Sequence, residues 1–162
     1  MFVFAAHTGA RRSEILRSQT TDFSAGIVSI RERKRKKGRK STRQIPLSNR
    51  LREAINDWFD EKPDSPFSLC HAFKSSCTSE PGTPLTPSQA NKHFKTTMKK
   101  SRFKYLPGWH SLRHSFCSNA AANGISQAII DSWVGHSTPE MSRRYRHLFP
   151  NSSNDAMRKM FD

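Results

Sequence analysis

The spacing of apolar residues changes along this chain, and each change marks an element. Phe2-Val3-Phe4-Ala5-Ala6 runs into polar His7-Thr8 and a break at Gly9. That run has no basic leader, is too short for a signal core and cannot span a membrane, so it reads as the end of a core helix. Ser13-Glu14-Ile15-Leu16 starts the next turn. Phe23, Ile27-Val28-Ser29-Ile30-Arg31 and Arg43-Gln44-Ile45-Pro46-Leu47 read as three short strands. Ser24-Ala25-Gly26 and the stretch around Gly38 form the turns between them, which predicts a small antiparallel sheet with a protruding tip.

Helical spacing follows. Ser48 caps a segment whose apolar positions are Leu51, Ile55, Trp58 and Phe59. Residues 61–86 are rich in Pro, Ser and Thr and predict a long irregular connection, with Phe67-Ser68-Leu69 as a candidate short strand inside it. Thr86-Pro87-Ser88-Gln89 combines a Thr cap, Pro at the first helical position and Gln three after the cap, so a helix should run to about Lys100. Beyond Pro107-Gly108 a helix is expected from His110 to Asn123, ended by Gly124 in the left-handed conformation. Ser126 caps another, with Ile129, Ile130, Trp133 and Val134 inward and Gly135 at its end. Thr138-Pro139-Glu140 opens a third, with Tyr145 near its end. The tail from Asn154 suits one or two amphipathic turns through Ala156, Met157, Met160 and Phe161, and no internal repeat is visible.

Charge sharpens this picture. The chain has 162 residues, the size of one domain, and carries 28 Lys+Arg against 13 Asp+Glu, a formal charge of +15. Nine basic residues and one acid (Glu32) lie between Arg31 and Arg43, so this stretch alone supplies +8. A concentrated positive patch points to a polyanion, and to nucleic acid first among them. Arg33, Arg35, Lys36, Lys37, Arg39, Lys40 and Arg43 are the candidate DNA contacts. Cys70, Cys77 and Cys117 are odd in number and widely spaced, which argues against a disulfide framework or a cysteine zinc site and fits a reducing compartment.

Residues able to perform phosphodiester chemistry recur along the chain. Attack on a phosphodiester builds negative charge on the non-bridging oxygens, and stabilisers placed in advance for it supply the largest catalytic effect. Guanidinium suits the role, being always ionised and shaped to grip two oxygens. Arg11 and Arg113 are the candidates, with Arg12, Arg143 and Arg144 as adjacent alternatives that also suit surface charge or backbone contact. His110 and Arg113 share one helix face at the helix start, where free backbone N–H groups favour an anion. His110 and His114 are spaced like a zinc-protease pair, but Ser111 stands where that motif needs Glu, and no metal is expected. Tyr145, nine residues after His136, can attack only if cations or a base lie near its weakly acidic phenol. Tyr105 lacks such neighbours and is assigned to packing.

Taken in order, Thr8-Gly9-Ala10-Arg11-Arg12-Ser13-Glu14, a lysine-rich turn, His110-Ser111-Leu112-Arg113-His114, Gly135-His136 and Tyr145 resemble the catalytic domain of the tyrosine recombinases, the phage-integrase family. The resemblance covers nearly the whole chain. It implies a mainly α fold with a small three-stranded antiparallel sheet. It makes Arg11 the first catalytic arginine, Glu14 the acidic residue behind it, His110 and Arg113 the His-x-x-Arg box, His136 a phosphate contact and Tyr145 the nucleophile. The family lysine, general acid for the leaving 5′ oxygen, falls on Lys34, with Lys36 next. The implied activity is site-specific recombination of double-stranded DNA through a 3′-phosphotyrosyl link, without cofactor, by a homotetramer on DNA in the cytoplasm, associated with the nucleoid. Residues 1–162 then read as a single catalytic domain, truncated at the N-terminus and without the core-binding domain. Two other readings stand beside it: a non-enzymatic DNA-binding remnant, and strand relaxation of the type IB topoisomerase kind.

Overall fold

The computed structural model describes residues 1–32, 42–74 and 80–135. Helix α1 (Phe2–Thr8) ends where Gly9 turns left-handed at φ 61° and donates its N–H to the Ala5 carbonyl. A Cβ at Gly9 would lie 2.7 Å from Phe116 Cδ1 and 2.9 Å from Val134 Cγ1, so both the turn and the close approach demand glycine. One helical turn, α2 (Arg12–Ile15), follows. Then comes the sheet of β1 (Phe23–Ser24), β2 (Ile27–Arg31) and β3 (Thr42–Pro46), antiparallel in the order β1-β2-β3. The remaining helices are α3 (Asn49–Glu61), α4 (Pro87–Lys99), α5 (His110–Ala122) and α6 (Gln127–Val134). The fold is the mainly helical one with a small three-stranded antiparallel sheet that the sequence predicts.

Local chemistry explains the boundaries. Ser48 Oγ accepts the Leu51 N–H at the start of α3. Thr86 and Gln89 close a reciprocal capping box at α4, at 3.2 and 2.8 Å, with Pro87 in the first turn. Gly124 and Gly135 are left-handed after α5 and α6.

Helix α1 packs against both α3 and α5. Phe4, Ile15, Val28, Ile30, Ile45 and Leu51 are fully buried around it, each side chain worth roughly 1.5–3 kcal/mol of burial. A second cluster, Cys117, Ala121, Ile130 and Val134, joins α5 to α6. In β3 burial alternates strictly, so Arg43 and Ile45 face inward with Val28 and Ile30 of β2.

Three expectations need correction. Phe67-Ser68-Leu69 forms no strand: isolated bridges, Gln19 to Phe67 and Cys70 to Pro84, and scattered hydrogen bonds tie this connection down, among them Ser68 N–H to the Ser18 carbonyl and Trp58 Nε1 to the Ser68 carbonyl. Ile129 points outward at 44% exposure, because Ile130 and Val134, four apart, supply the face that α6 turns to α5. Tyr105 is 72% exposed between α4 and α5, its ring 6.5 Å from that of Phe103, so it packs on no core. The helix expected at Thr138-Pro139-Glu140 and the amphipathic tail lie outside the described residues.

Candidate active site

Arg11 begins the site. It caps α2 in an extended conformation (φ −69°, ψ 148°), and its backbone N–H donates to Glu14 Oε2 at 2.7 Å. Its Nη1 donates to Glu14 Oε1 at 3.0 Å, leaving the side chain partly exposed. Glu14 is buried, yet four donors reach its carboxylate. Two come from Arg11 and two from Arg43, whose Nη2 and Nη1 lie 2.7 and 3.2 Å from Oε2 and Oε1. Burial alone would raise the Glu14 pKa. The hydrogen bonds and charge of Arg43, then of Arg11, outweigh it and hold the carboxyl below its ordinary value.

Arg43 is therefore not a surface DNA contact, and that expectation is corrected. Its inward face, in register with Ile30 and two residues before Ile45, places the guanidinium inside. Besides Glu14 it donates to Glu32 Oε1 at 3.2 Å and, through Nε, to the Trp133 carbonyl at 2.6 Å. At the start of the basic stretch, Arg31 is spent similarly on Asp22, at 2.7 and 2.8 Å. The two-residue alternation of β3, in which Arg43 and Ile45 share the buried face, carried this signal. Counting charges along the run hid it.

Arg113 is 2% exposed on α5 and donates to two backbone carbonyls, Gly9 at 2.8 Å and Val134 at 2.5 Å. One guanidinium thus joins the end of α1 to the end of α6, where the helix dipole favours a cation. Burial first, then the charges of Arg11 and Arg43, lower its pKa to about 10, so it remains cationic at neutral pH. Trp109, buried with its ring tilted against those of Phe2 and Phe94, donates its indole N–H to the Ala90 carbonyl at 3.1 Å and so anchors the start of α5. The exposed His110 follows it, its ring 4.8 Å from that of His114 and nearly perpendicular. The Ser111 and Leu112 N–H groups at this helix start are taken by the Gly108 and Trp109 carbonyls, so anion binding falls to side chains rather than to these amides.

Arg11, His110 and Arg113 line one cleft of about 430 Å³, together with Arg12, Asn91 and Trp109. Sequence reasoning missed Asn91, which reaches the cleft from α4. Glu14 lies behind Arg11. Such a cleft can hold a tetrahedral anion between two guanidinium groups and an imidazole. Among the described residues no group of three or more His, Cys, Asp or Glu side chains could hold a metal ion, and no helix is long and apolar enough to cross a membrane. Lys34, His136 and Tyr145 lie outside the described residues, as do Arg33, Arg35, Lys36, Lys37, Arg39 and Lys40, and the alternatives Arg143 and Arg144.

The sequence pattern of the Phage integrase family matches residues 1–152. The integrase of Escherichia phage 186 is 28% identical over 154 residues, which cover 93% of this chain and 38% of that protein. A tyrosine recombinase of Thermosipho africanus is 24% identical over 154 residues, covering 95% of this chain and 50% of the relative. The chain thus spans half or less of the length of these relatives. Among solved structures, the XerH site-specific recombinase bound to its difH substrate superposes with a TM-score of 0.70 at 20% identity, covering 99% of this chain and 46% of that one. The catalytic domain of bacteriophage HP1 integrase gives 0.66 at 23% identity, covering 99% and 79%. These structural likenesses bear on the fold.

Proposed function

The chain belongs to the phage integrase family, and from that premise we propose that it carries the catalytic domain of a site-specific recombinase acting on double-stranded DNA. The observation that carries the reading is the meeting of Arg11, His110 and Arg113 in one cleft, from segments a hundred residues apart. The Tyr145 oxygen attacks the scissile phosphorus as its proton passes to the His110 imidazole, and the P–O5′ bond breaks. A 3′-phosphotyrosyl link forms, and the 5′ oxygen leaves with a proton from Lys34. Attack by the 5′-hydroxyl of another strand reverses the step and releases Tyr145. The covalent link conserves the phosphodiester, so the exchange needs no external energy source.

Charge builds on the phosphoryl oxygens during both steps. Arg11 and Arg113 neutralise it, and His110 and His136 donate to it. Glu14 and Arg43 do not touch DNA. They hold Arg11 and the α6 end in place beforehand, so little reorganisation remains for the reaction. The basic residues from Arg33 to Lys40 contact phosphates along the duplex. Exchange between two duplexes involves four strands, each cut by one Tyr145, which makes the working assembly a homotetramer on DNA.

The test is covalent trapping on sheared host DNA, read on denaturing gels. The parent chain should give a protein–DNA adduct. Tyr145→Phe should give none while keeping noncovalent DNA affinity, because one hydroxyl is lost and every cation is kept. Tyr105→Phe is the control, and its exposed ring predicts parental behaviour. An adduct of normal yield from Tyr145→Phe would remove the nucleophile assignment.

A further inference from the structure

Arg12 sits beside Arg11 in sequence and lines the same cleft, but its surroundings differ in kind. Arg11 and Arg43 share the Glu14 carboxylate, and Arg43 also meets Glu32. Arg12 has no carboxylate partner among the described residues. Its Nη1 donates to the neutral amide oxygen of Asn91 at 2.6 Å, across from α2 to α4. Its Nε is buried with no hydrogen-bond acceptor, the sole buried side-chain donor among the described residues left in that state. The buried Nε and the amide contact of Nη1 restrain the direction of the guanidinium beside the cleft.

The local charge favours an anionic acceptor. No Asp or Glu occurs from Pro81 through Ile130, the span that supplies α4, Trp109, His110 and Arg113 to the cleft. Glu14, the acid nearest in sequence, is already held by four donors. The cleft therefore carries more positive charge than one phosphate at Arg11 and Arg113 would neutralise. A guanidinium fork matches two oxygens of a phosphate. Successive phosphates of one strand are close enough for neighbouring side chains to hold two of them.

We propose that Arg12, oriented by Asn91, forms a second phosphate subsite that grips the DNA phosphate next to the scissile one. The proposal rests on the DNA-cleaving reading above and adds a residue pair that sets strand register in the cleft. Arg12 is a binding residue here, and Asn91 a positioning residue acting through it.

Binding of the full chain to two 30-base-pair duplexes, one A·T-rich and one G·C-rich, tests this across a salt series. A phosphate contact predicts that Arg12→Gln weakens both duplexes alike, by about tenfold, and reduces the slope of log K against log salt by about 1. Arg12→Lys should keep the parental slope but bind about two- to threefold more weakly, since an ammonium cannot serve Asn91 and a fork of phosphate oxygens together. Asn91→Ala should weaken binding by a similar factor with no change of slope. Arg50→Gln, at an exposed position of α3, is the control and should match the parent. Parental affinity and slope for Arg12→Gln would overturn the subsite and leave the recombinase reading standing. A loss confined to the G·C-rich duplex would also overturn it, in favour of base-edge contact. Tighter binding by Asn91→Ala would show that Asn91 restrains Arg12 rather than orienting it. If the parent binds neither duplex with salt dependence, the DNA-cleaving reading fails as well. Melting curves separate folding from binding, and the Lys and Asn91 variants decide the matter if Arg12→Gln does not fold.

Discussion

Replacing Arg43 by Met keeps most of the side-chain volume and removes every polar contact the guanidinium makes. Glu14 loses two hydrogen bonds, at 2.7 and 3.2 Å, and Glu32 loses one at 3.2 Å. The Trp133 carbonyl loses its donor at 2.6 Å. Breaking a buried ion pair from one side costs about 3–5 kcal/mol. Arg11 still reaches Glu14 through Nη1 and its backbone N–H, which favours the lower end, while the orphaned carbonyl adds about 1 kcal/mol. A loss of about 4 kcal/mol follows, or roughly 8–16 °C in Tm for a domain of this size. Urea and thermal unfolding measure it directly.

The pH dependence gives a second reading of the same variant. In the parent the Glu14 pKa is depressed, so its contribution is fully present above the ordinary carboxylate value and is lost as pH falls through the folded value. Without Arg43, burial is less opposed and the Glu14 pKa moves up. The deficit of the variant should then shrink as pH is lowered from 7 toward 5 and the buried carboxyl takes up a proton more readily than in the parent. A loss below about 1 kcal/mol, or a deficit that does not change over that range, would refute the view that this pair is buried and coupled.

Other perturbations probe other parts of the site. Gly9→Ala meets a left-handed backbone and two side chains within 3 Å, so it should cost roughly 2–4 kcal/mol in chemical denaturation. Arg113→Lys cannot bridge the Gly9 and Val134 carbonyls while presenting a fork to phosphate. Cleavage in a single-turnover assay should fall about 10²–10³-fold, and a fall under tenfold would argue against a direct phosphate contact. Lys34→Ala should be partly rescued by a 5′-bridging phosphorothiolate, whose sulfur leaves without a proton. Rescue of Lys36→Ala alone would move the general acid to that position.

Much of this protein was legible along the chain because the deciding interactions are local. Ser48, Thr86, Gly124 and Gly135 end or begin helices through contacts three to five residues long, and the strand alternation follows from a two-residue period. Arg43 was readable on the same ground, since a residue two before inward Ile45 must also face inward. The count of neighbouring charges obscured that. Motif order likewise located Arg11, His110 and Arg113, because their identities and spacings are properties of the string.

What the string does not contain is distance between segments. Arg113 meets Gly9 across 104 positions and Val134 across 21, and Arg12 meets Asn91 across 79. Those meetings depend on how α1, α4, α5 and α6 close around one core, and no local propensity specifies them. The tertiary structure therefore decided which arginines are neutralised and which are not. Arg43 is neutralised by Glu14 and Glu32, Arg113 turns two of its nitrogens to backbone carbonyls, and Arg12 lines the cleft with no carboxylate partner among the described residues. A guanidinium's chemistry depends on the acceptors packed against it, and packing brings those acceptors from distant parts of the chain.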